Sequence, residues 1–399
     1  MNVFILGAGA SKGYKESKTN QSMPLANDFF KTYNKLDIST SPYVLVGDIV
    51  NYLRDNKNMG IEEFYYYNAN IEEIHSEINE KLIDCLKVSG TASFCEKTFK
   101  LWRANSQLVF LFNSVINEIQ NGGVSKTHVN FIDCVNNEDT IITFNWDTLL
   151  DRTLKEKHKK WTTDNGYYIN PKAIYRDKWV ASRKCGIKDY PLLLKLHGST
   201  NWLTSYLSQE NGEIFLSQAT ANEIFYVYEY CTEPYSTYRG RFLSGYEDFS
   251  YGYYPPNIPE KPKMREGYYT ISVKTSFDSR IKNNDCADIG LTSMPLIIPP
   301  VKNKEYDLYG SLFDCLWNKA EEKLRETEKI YIIGYSFPTT DIKSVELFKR
   351  AFSQRKSMPE VIVINPFPQQ IHEKLKFEFG IDDEHLRIRE ECFDETFSL

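Results

Sequence analysis

Val3-Phe4-Ile5-Leu6-Gly7-Ala8-Gly9-Ala10-Ser11 stands near the start of the chain. Four apolar residues run straight into two glycines, two alanines and a serine. This is how a buried strand feeding a tight turn reads. Glycine lets the backbone turn sharply and come close to another group. N–H groups just past such a turn, at a helix start, can face a phosphate. A glycine pair after a strand also occurs in plain turns, so its meaning depends on what else reaches the same place.

Working outward, five more apolar runs each end in a polar, glycine or proline cluster. Thr140 to Phe144 ends at Asn145-Trp146-Asp147. Leu192 to Leu196 ends at His197-Gly198-Ser199. Pro295 to Ile298 ends at Pro299-Pro300. Lys329 to Ile333 ends at Gly334-Tyr335-Ser336-Phe337, and Val361 to Ile364 ends at Asn365-Pro366. Short, nearly continuous apolar runs suit strands covered on both faces, as in a parallel sheet. Helical patterns lie between several of them. Leu308, Leu312, Leu316, Ala320 and Leu324 recur on one helix face. Asp341 to Phe352 forms another helix, with Thr340 or Asp341 as its N-cap. The alternation predicts an α/β fold with a doubly wound, Rossmann-like parallel sheet. Ligands of such sheets sit beyond the carboxyl ends of the strands, and the polar clusters gather there.

One domain is expected over residues 1–399, with two insertions within it. The first, residues 34–137, is helical: Ile71, Ile74, Ile78 and Leu82 share one helical spacing, and Leu108, Leu111, Phe112, Val115 and Ile119 another. The second, residues 205–294, is rich in tyrosine, with Tyr226, Tyr228, Tyr230, Tyr235 and Tyr238 among others, and carries Pro255, Pro256, Pro259 and Pro262. It reads as irregular chain with short strands, packed on the core by its rings.

The net charge of -6 argues against broad, direct nucleic-acid binding. No apolar run is long enough to span a bilayer. Met1 to Leu6 has no basic leader, so a cytoplasmic protein is expected. None of the eight cysteines forms a C-x-x-C pair. No zinc site is therefore expected, and scattered single thiols suit a reducing compartment.

The strand-end clusters suggest chemistry. Asn145 can hold a carboxamide, a ribose or a water without adding charge. Asp147 can orient Asn145, offset positive charge on a sugar, or cap the helix that starts at Thr148. His197 can take a proton from a hydroxyl or a water. Ser11 and Ser336 can donate to phosphate or ribose, and Asn365 can reach a nucleoside. Asp28 lies in the loop after the glycine turn.

Taken in order, these motifs resemble those of the sirtuin superfamily: Gly7-Ala8-Gly9-Ala10-Ser11, Thr143-Phe144-Asn145-Trp146-Asp147, Leu196-His197-Gly198-Ser199, Ile333-Gly334-Tyr335-Ser336-Phe337 and Ile364-Asn365-Pro366. The resemblance implies that Gly7, Ala8, Gly9, Ala10 and Ser11 cradle the pyrophosphate of NAD+. It places Asn145 and Asp147 at the nicotinamide ribose, with His197 as base on a ribose hydroxyl. Gly198, Gly334, Ser336 and Asn365 hold the rest of the dinucleotide. The chain lacks the paired cysteines of the deacylases. Ile297-Ile298-Pro299-Pro300 stands where those enzymes have Phe-Gly-Glu, and Phe144 where many have glutamine. With these departures it looks like the sirtuin-like domains of bacterial anti-phage defence, which cleave NAD+ to nicotinamide and ADP-ribose. The resemblance implies NAD+ as substrate and no metal. It also implies regulation by homo-oligomerisation or by a sensor partner such as an ATPase. Transfer of an ADP-ribosyl or acyl group to protein, and a non-catalytic module that binds NAD or ADP-ribose, are the alternatives.

Overall fold

The computed structural model describes residues 1–40, 46–60, 63, 70–88, 96–183, 189–205, 207–210, 213–216, 225–229, 258–259, 269–272, 279–282, 293–299 and 311–399. Cys95, Cys185, Cys231, Cys286, Pro300, Leu308 and much of the tyrosine-rich stretch lie outside these.

Strand β1 (Asn2–Leu6) leads into the short helix α1 (Ala8–Lys12). Helices α2 (Phe29–Asn34), α3 (Gly47–Lys57), α4 (Ile71–Val88), α5 (Glu96–Gln120) and α6 (Lys126–Ile132) follow. Then come β2 (Thr140–Thr143), α7 (Leu149–Lys157), β3 (Ala173–Arg176), β4 (Lys178–Ala181), β5 (Leu192–Lys195) and β6 (Gly198–Ser205). Strands β7 (Leu207–Glu210) and β8 (Glu213–Leu216) pair as a hairpin, followed by β9 (Tyr226–Tyr228). Strands β10 (Tyr269–Ser272) and β11 (Ser279–Lys282) pair antiparallel, and β12 (Ser293–Ile297) comes next. The chain closes with α8 (Leu312–Glu326), β13 (Lys329–Ile333), α9 (Ile342–Ser353), β14 (Glu360–Ile364), α10 (Gln369–Phe377) and β15 (Leu386–Arg389).

The main sheet has six parallel strands in the order β15-β14-β13-β1-β2-β5. Numbered along the chain within this sheet, the order is 3-2-1-4-5-6, the doubly wound arrangement with its switch point between the two central strands. Val3, Phe4, Ile5 and Leu6 of β1 are each at most 1% exposed. Burying such side chains contributes about 1.5–3 kcal/mol apiece. The continuous apolar run is therefore the requirement of a central strand covered on both faces.

The register levels the carboxyl ends. Leu6 pairs with Ile333 and with Thr143, Thr143 with Lys195, and Ile333 with Ile364. Gly7, Asn145, His197, Gly334 and Asn365 all follow within two residues of those ends. They emerge along one edge of the sheet.

One expected member of this sheet lies elsewhere. The apolar run Pro295 to Ile298 forms β12, which pairs antiparallel with β6 in a second sheet of order β12-β6-β9-β3-β4. The reason is a turn. The chain leaves β5 and reverses at Gly198, where φ is +78°, a conformation that glycine adopts without steric cost. A Cβ on Gly198 would stand 2.1 Å from the Leu296 carbonyl, so the missing side chain also lets β12 dock.

The second sheet is covered on both faces along β12, β6 and β9, while the edge strand β4 keeps Lys178 and Ala181 exposed. Its side chains alternate with the strand period of two. Ile174, Trp202, Phe225, Val227 and Leu296 join the core of the main sheet. Ala173, Leu203, Tyr226, Tyr228 and Ile297 join the core of the helical segment. Tyr226 and Tyr228 are thus interior residues. Helices α3 and α4 pack on α5. The expected apolar faces, Ile71-Ile74-Ile78-Leu82 and Leu108-Leu111-Phe112-Val115-Ile119, are buried. Among the described residues, no helix is long and apolar enough to cross a membrane.

Candidate functional site

The glycine turn locks onto the switch point. Gly7 N–H donates to the Ile333 carbonyl at 3.1 Å, and Gly9 N–H to the Gly334 carbonyl at 2.9 Å. A Cβ on Gly9 would lie 2.8 Å from Gly334 Cα, and one on Gly334, itself at φ +60°, 2.4 Å from the Ala10 nitrogen. The two turns therefore interlock with no room for a methyl group. Ala10 N–H also turns inward, to the Gly7 carbonyl at 2.9 Å. Two of these amides are spent on carbonyls of β13 and the turn that follows it, and the third on a carbonyl of the glycine turn itself. Ala8 is exposed beside them.

Asn145, Ser11 and Asp147 form one hydrogen-bonded unit. Asn145 Nδ2 donates to the Gly7 carbonyl and to Ser11 Oγ, each at 2.8 Å. Ser11 Oγ donates onward to Asp147 Oδ2 at 2.6 Å. A backbone carbonyl only accepts, so this contact fixes which way the Asn145 amide faces. Its Oδ1 makes no hydrogen bond among the described residues and remains as an acceptor on a half-buried side chain. Asp147 Oδ1 accepts from Leu149 N–H at 3.1 Å. Asp147 thus both orients the unit and caps the start of α7.

Two residues not singled out from the sequence hold this motif. Lys195, 1% exposed, donates to the Asp147 carbonyl at 2.5 Å and to Asp151 Oδ2 at 2.9 Å. Its signal was a lysine inside the apolar run Leu192 to Leu196. Gln120, at the end of α5, accepts from Thr148 N–H at 2.8 Å and donates to Thr200 Oγ1 at 3.2 Å. It joins the helical segment to the site.

His197 is 6% exposed and sits in an aromatic wall. Phe144 meets it edge-on at 5.2 Å, and Trp317 lies at 6.2 Å. Phe144 also stacks on Tyr335 at 4.3 Å. Its ring is part of the wall that surrounds His197. His197 Nε2 lies 3.4 Å from Asp341 Oδ1. Asp341 was expected only as a helix cap, and nothing in its local sequence connects it to His197.

The remaining candidates spread along the same edge. Ser336 is exposed, and Gly334 and Asn365 are half-buried. Asn365 Oδ1 accepts from Phe367 N–H at 2.9 Å, closing a turn that leaves Phe367 exposed. Asp28 accepts from Leu25 N–H at 2.6 Å and from Lys12 at 3.1 Å. Gly198 serves the β6–β12 contact described above. Thr340 donates to Glu72 at 2.6 Å, so the first turn of α4 touches the loop that carries Asp341.

Of the other histidines, His75 and His128 are buried in helices, and burial lowers both to a pKa of about 4. The Asn105 hydrogen bond opposes the shift at His75, and the charge of Asp147 opposes it at His128. One group of potential metal ligands occurs among the described residues, Asp382, Glu384 and His385, with its carboxylates exposed at the surface.

The strand order and the shared edge define a doubly wound α/β protein whose candidate site straddles the switch point. No protein-family model and no curated protein matches the chain. Among solved structures it is similar to Sir2 homologues. A point mutant of a Sir2 homologue in complex with ADP ribose aligns at TM-score 0.35 and 13% identity, covering 99% of this chain and 87% of that one. A structure described as the basis for the mechanism and regulation of Sir2 enzymes aligns at TM-score 0.33 and 13% identity, covering 99% and 88%. A Sir2 homologue–NAD complex aligns at TM-score 0.31 and 12% identity, covering 99% and 85%.

Proposed function

We propose that this chain is an NAD+ glycohydrolase, cleaving NAD+ to nicotinamide and ADP-ribose. The observation that carries the proposal is the shared sheet edge at the switch point, with the interlocked Gly9–Gly334 turns flanked by Asn145 and His197. Dinucleotides bind at such switch points. The bond between the ribose and nicotinamide breaks with its electron pair leaving on the nicotinamide nitrogen, which departs neutral. Little acid catalysis is needed. The demand is to stabilise a cationic, oxocarbenium-like ribose and to place water. Asn145 Oδ1, held in place by the Gly7 and Ser11 contacts, suits an acceptor for the ribose, the carboxamide or the water. Asp147 offsets positive charge through Ser11. His197 takes the proton from the attacking water or from a ribose hydroxyl. The glycine turn at Gly7, Ala8 and Gly9 forms the pyrophosphate end, with Ser11 supporting it through its bond to Asp147, and Gly334, Ser336 and Asn365 form the adenosine side.

The motif resemblance extends the proposal to a regulated effector of anti-phage defence that acts as an oligomer or with a sensor partner. Purified protein, alone and with whatever co-purifies from its host, is expected to release nicotinamide from NAD+. His197→Ala and Asn145→Ala should each remove the activity. Retention in both would overturn the assignment. Protein carrying ADP-ribose, in place of free ADP-ribose, would instead support group transfer.

A further inference from the structure

We propose that Asp341 is the positioning carboxylate of His197, an inference that rests on His197 being the base of the site. The two side chains are 7% and 1% exposed and meet at 3.4 Å. A carboxylate this deep requires compensation by hydrogen bonds or opposite charge. Asp341 obtains it away from the helix it precedes. It occupies the N-cap position of α9, yet its side chain makes no capping bond. The Ser344 and Val345 amides bond its main-chain carbonyl instead. The carboxylate is directed to His197 on one oxygen and to Tyr335 on the other, where the hydroxyl donates to Oδ2 at 2.7 Å.

The support behind it is rigid. Tyr335 stacks on Phe144, and Phe144 meets the His197 ring edge-on, so one aromatic block sets both ends of the pair. Ser344 Oγ lies 2.7 Å from the Tyr335 hydroxyl and donates to the Asp341 carbonyl at 2.7 Å. Lys343 and Asp314 reach this wall from α9 and α8. Lys343 lies over the Trp317 ring at 5.2 Å and 3.6 Å from Asp314, and the same indole lies 6.2 Å from the His197 ring.

The chemistry follows from charge. When His197 takes a proton it becomes an imidazolium on a side chain that is almost fully buried. An adjacent carboxylate stabilises that cation and holds the ring in one orientation. Asp341 gains and loses no proton in the cycle. It acts through His197.

The test reads His197 directly. Histidine titrations are followed by NMR on the full chain labelled at its histidine nitrogens, with the His197 signal assigned by its loss in His197→Gln. Asp341→Asn should lower the His197 midpoint by about one unit or more. Tyr335→Phe, which keeps the ring stack but removes the donor that partly neutralises Oδ2, should also move it, in the opposite direction and by less. It carries the test if Asp341→Asn fails to fold. A His197 midpoint unmoved in the folded variants would overturn the proposal. In the kinetic arm, Asp341→Asn should lower kcat for nicotinamide release about tenfold or more with KM within about twofold. A wild-type kcat in that variant would overturn it as well. The titration needs no turnover. If Asp341→Asn shows the shift while the wild-type protein, alone and with whatever co-purifies, releases no nicotinamide, the NAD+ reading fails and the pair stands.

Discussion

Ser11 takes a hydrogen bond from Asn145 and gives one to Asp147. One hydroxyl therefore couples the glycine turn to the Asn-x-Asp motif. Ser11→Ala leaves Asp147 Oδ2 without its donor in a buried setting. A loss of about 1–3 kcal/mol is expected, read from the denaturant midpoint, with a parallel fall in nicotinamide release. An unchanged midpoint would mean that the Ser11–Asp147 contact is not formed in solution. Which residues emerge at the site was readable from the sequence, because each follows an apolar run directly. Their partners were not. Ser11 looked like a phosphate donor, and the structure places it inside the protein. Asp341 looked like a helix cap, and its carboxylate faces a strand end far away in the chain.

At the scale of elements, β5 and α7 are joined by a buried ion pair. Lys195 reaches Asp151 across the interface, while Tyr167 donates its hydroxyl to the other oxygen of that carboxylate. Removing only the lysine strands a buried carboxylate. Lys195→Met should cost about 3–5 kcal/mol, and adding Asp151→Asn, which still accepts from Tyr167, should recover much of it. Thermal unfolding of the single and double variants checks this. A double variant no more stable than the single would exclude the ion pair as the cause. The long helices α4 and α5 were legible because their apolar faces repeat over several turns. The second sheet was not. Its strands are short, and their two-residue alternation is hard to tell from loop when tyrosines and prolines surround them. Only packing shows that Tyr226 and Tyr228 face one core while Phe225 and Val227 face the other.

Across the whole molecule, His75 and His128 link stability to pH. Each is buried in the folded state with a pKa of about 4, against an ordinary value of 6.5. The unfolded chain binds these protons first. Their contribution is complete above pH 6.5 and is lost as pH falls from there toward 4. The limit is about 3 kcal/mol for each residue. Glu77 acts in a lower window. Burial alone would raise it, but Lys57, Lys81 and Tyr52 outweigh that and hold it at about 2. Its contribution is therefore lost only as pH falls from about 4.5 toward 2. Stability measured across pH 4 to 7 should decline on the acid side, and His128→Gln should flatten part of the decline. A curve as steep in that variant would remove His128 from the account.

The doubly wound class, the edge that carries the candidate site and the glycines at Gly7 and Gly9 were written in short segments. A buried strand needs a continuous apolar run, and an interlocked turn needs residues without side chains. Both demands are local. The contacts that tie this edge together are not. Ser11 meets Asp147 from 136 residues away in the chain, and His197 meets Asp341 across the sheet. Neither pairing leaves a periodicity or a spacing to read. Such contacts exist because parallel pairing in one register brings distant strand ends level, so that groups far apart in the chain meet at one edge.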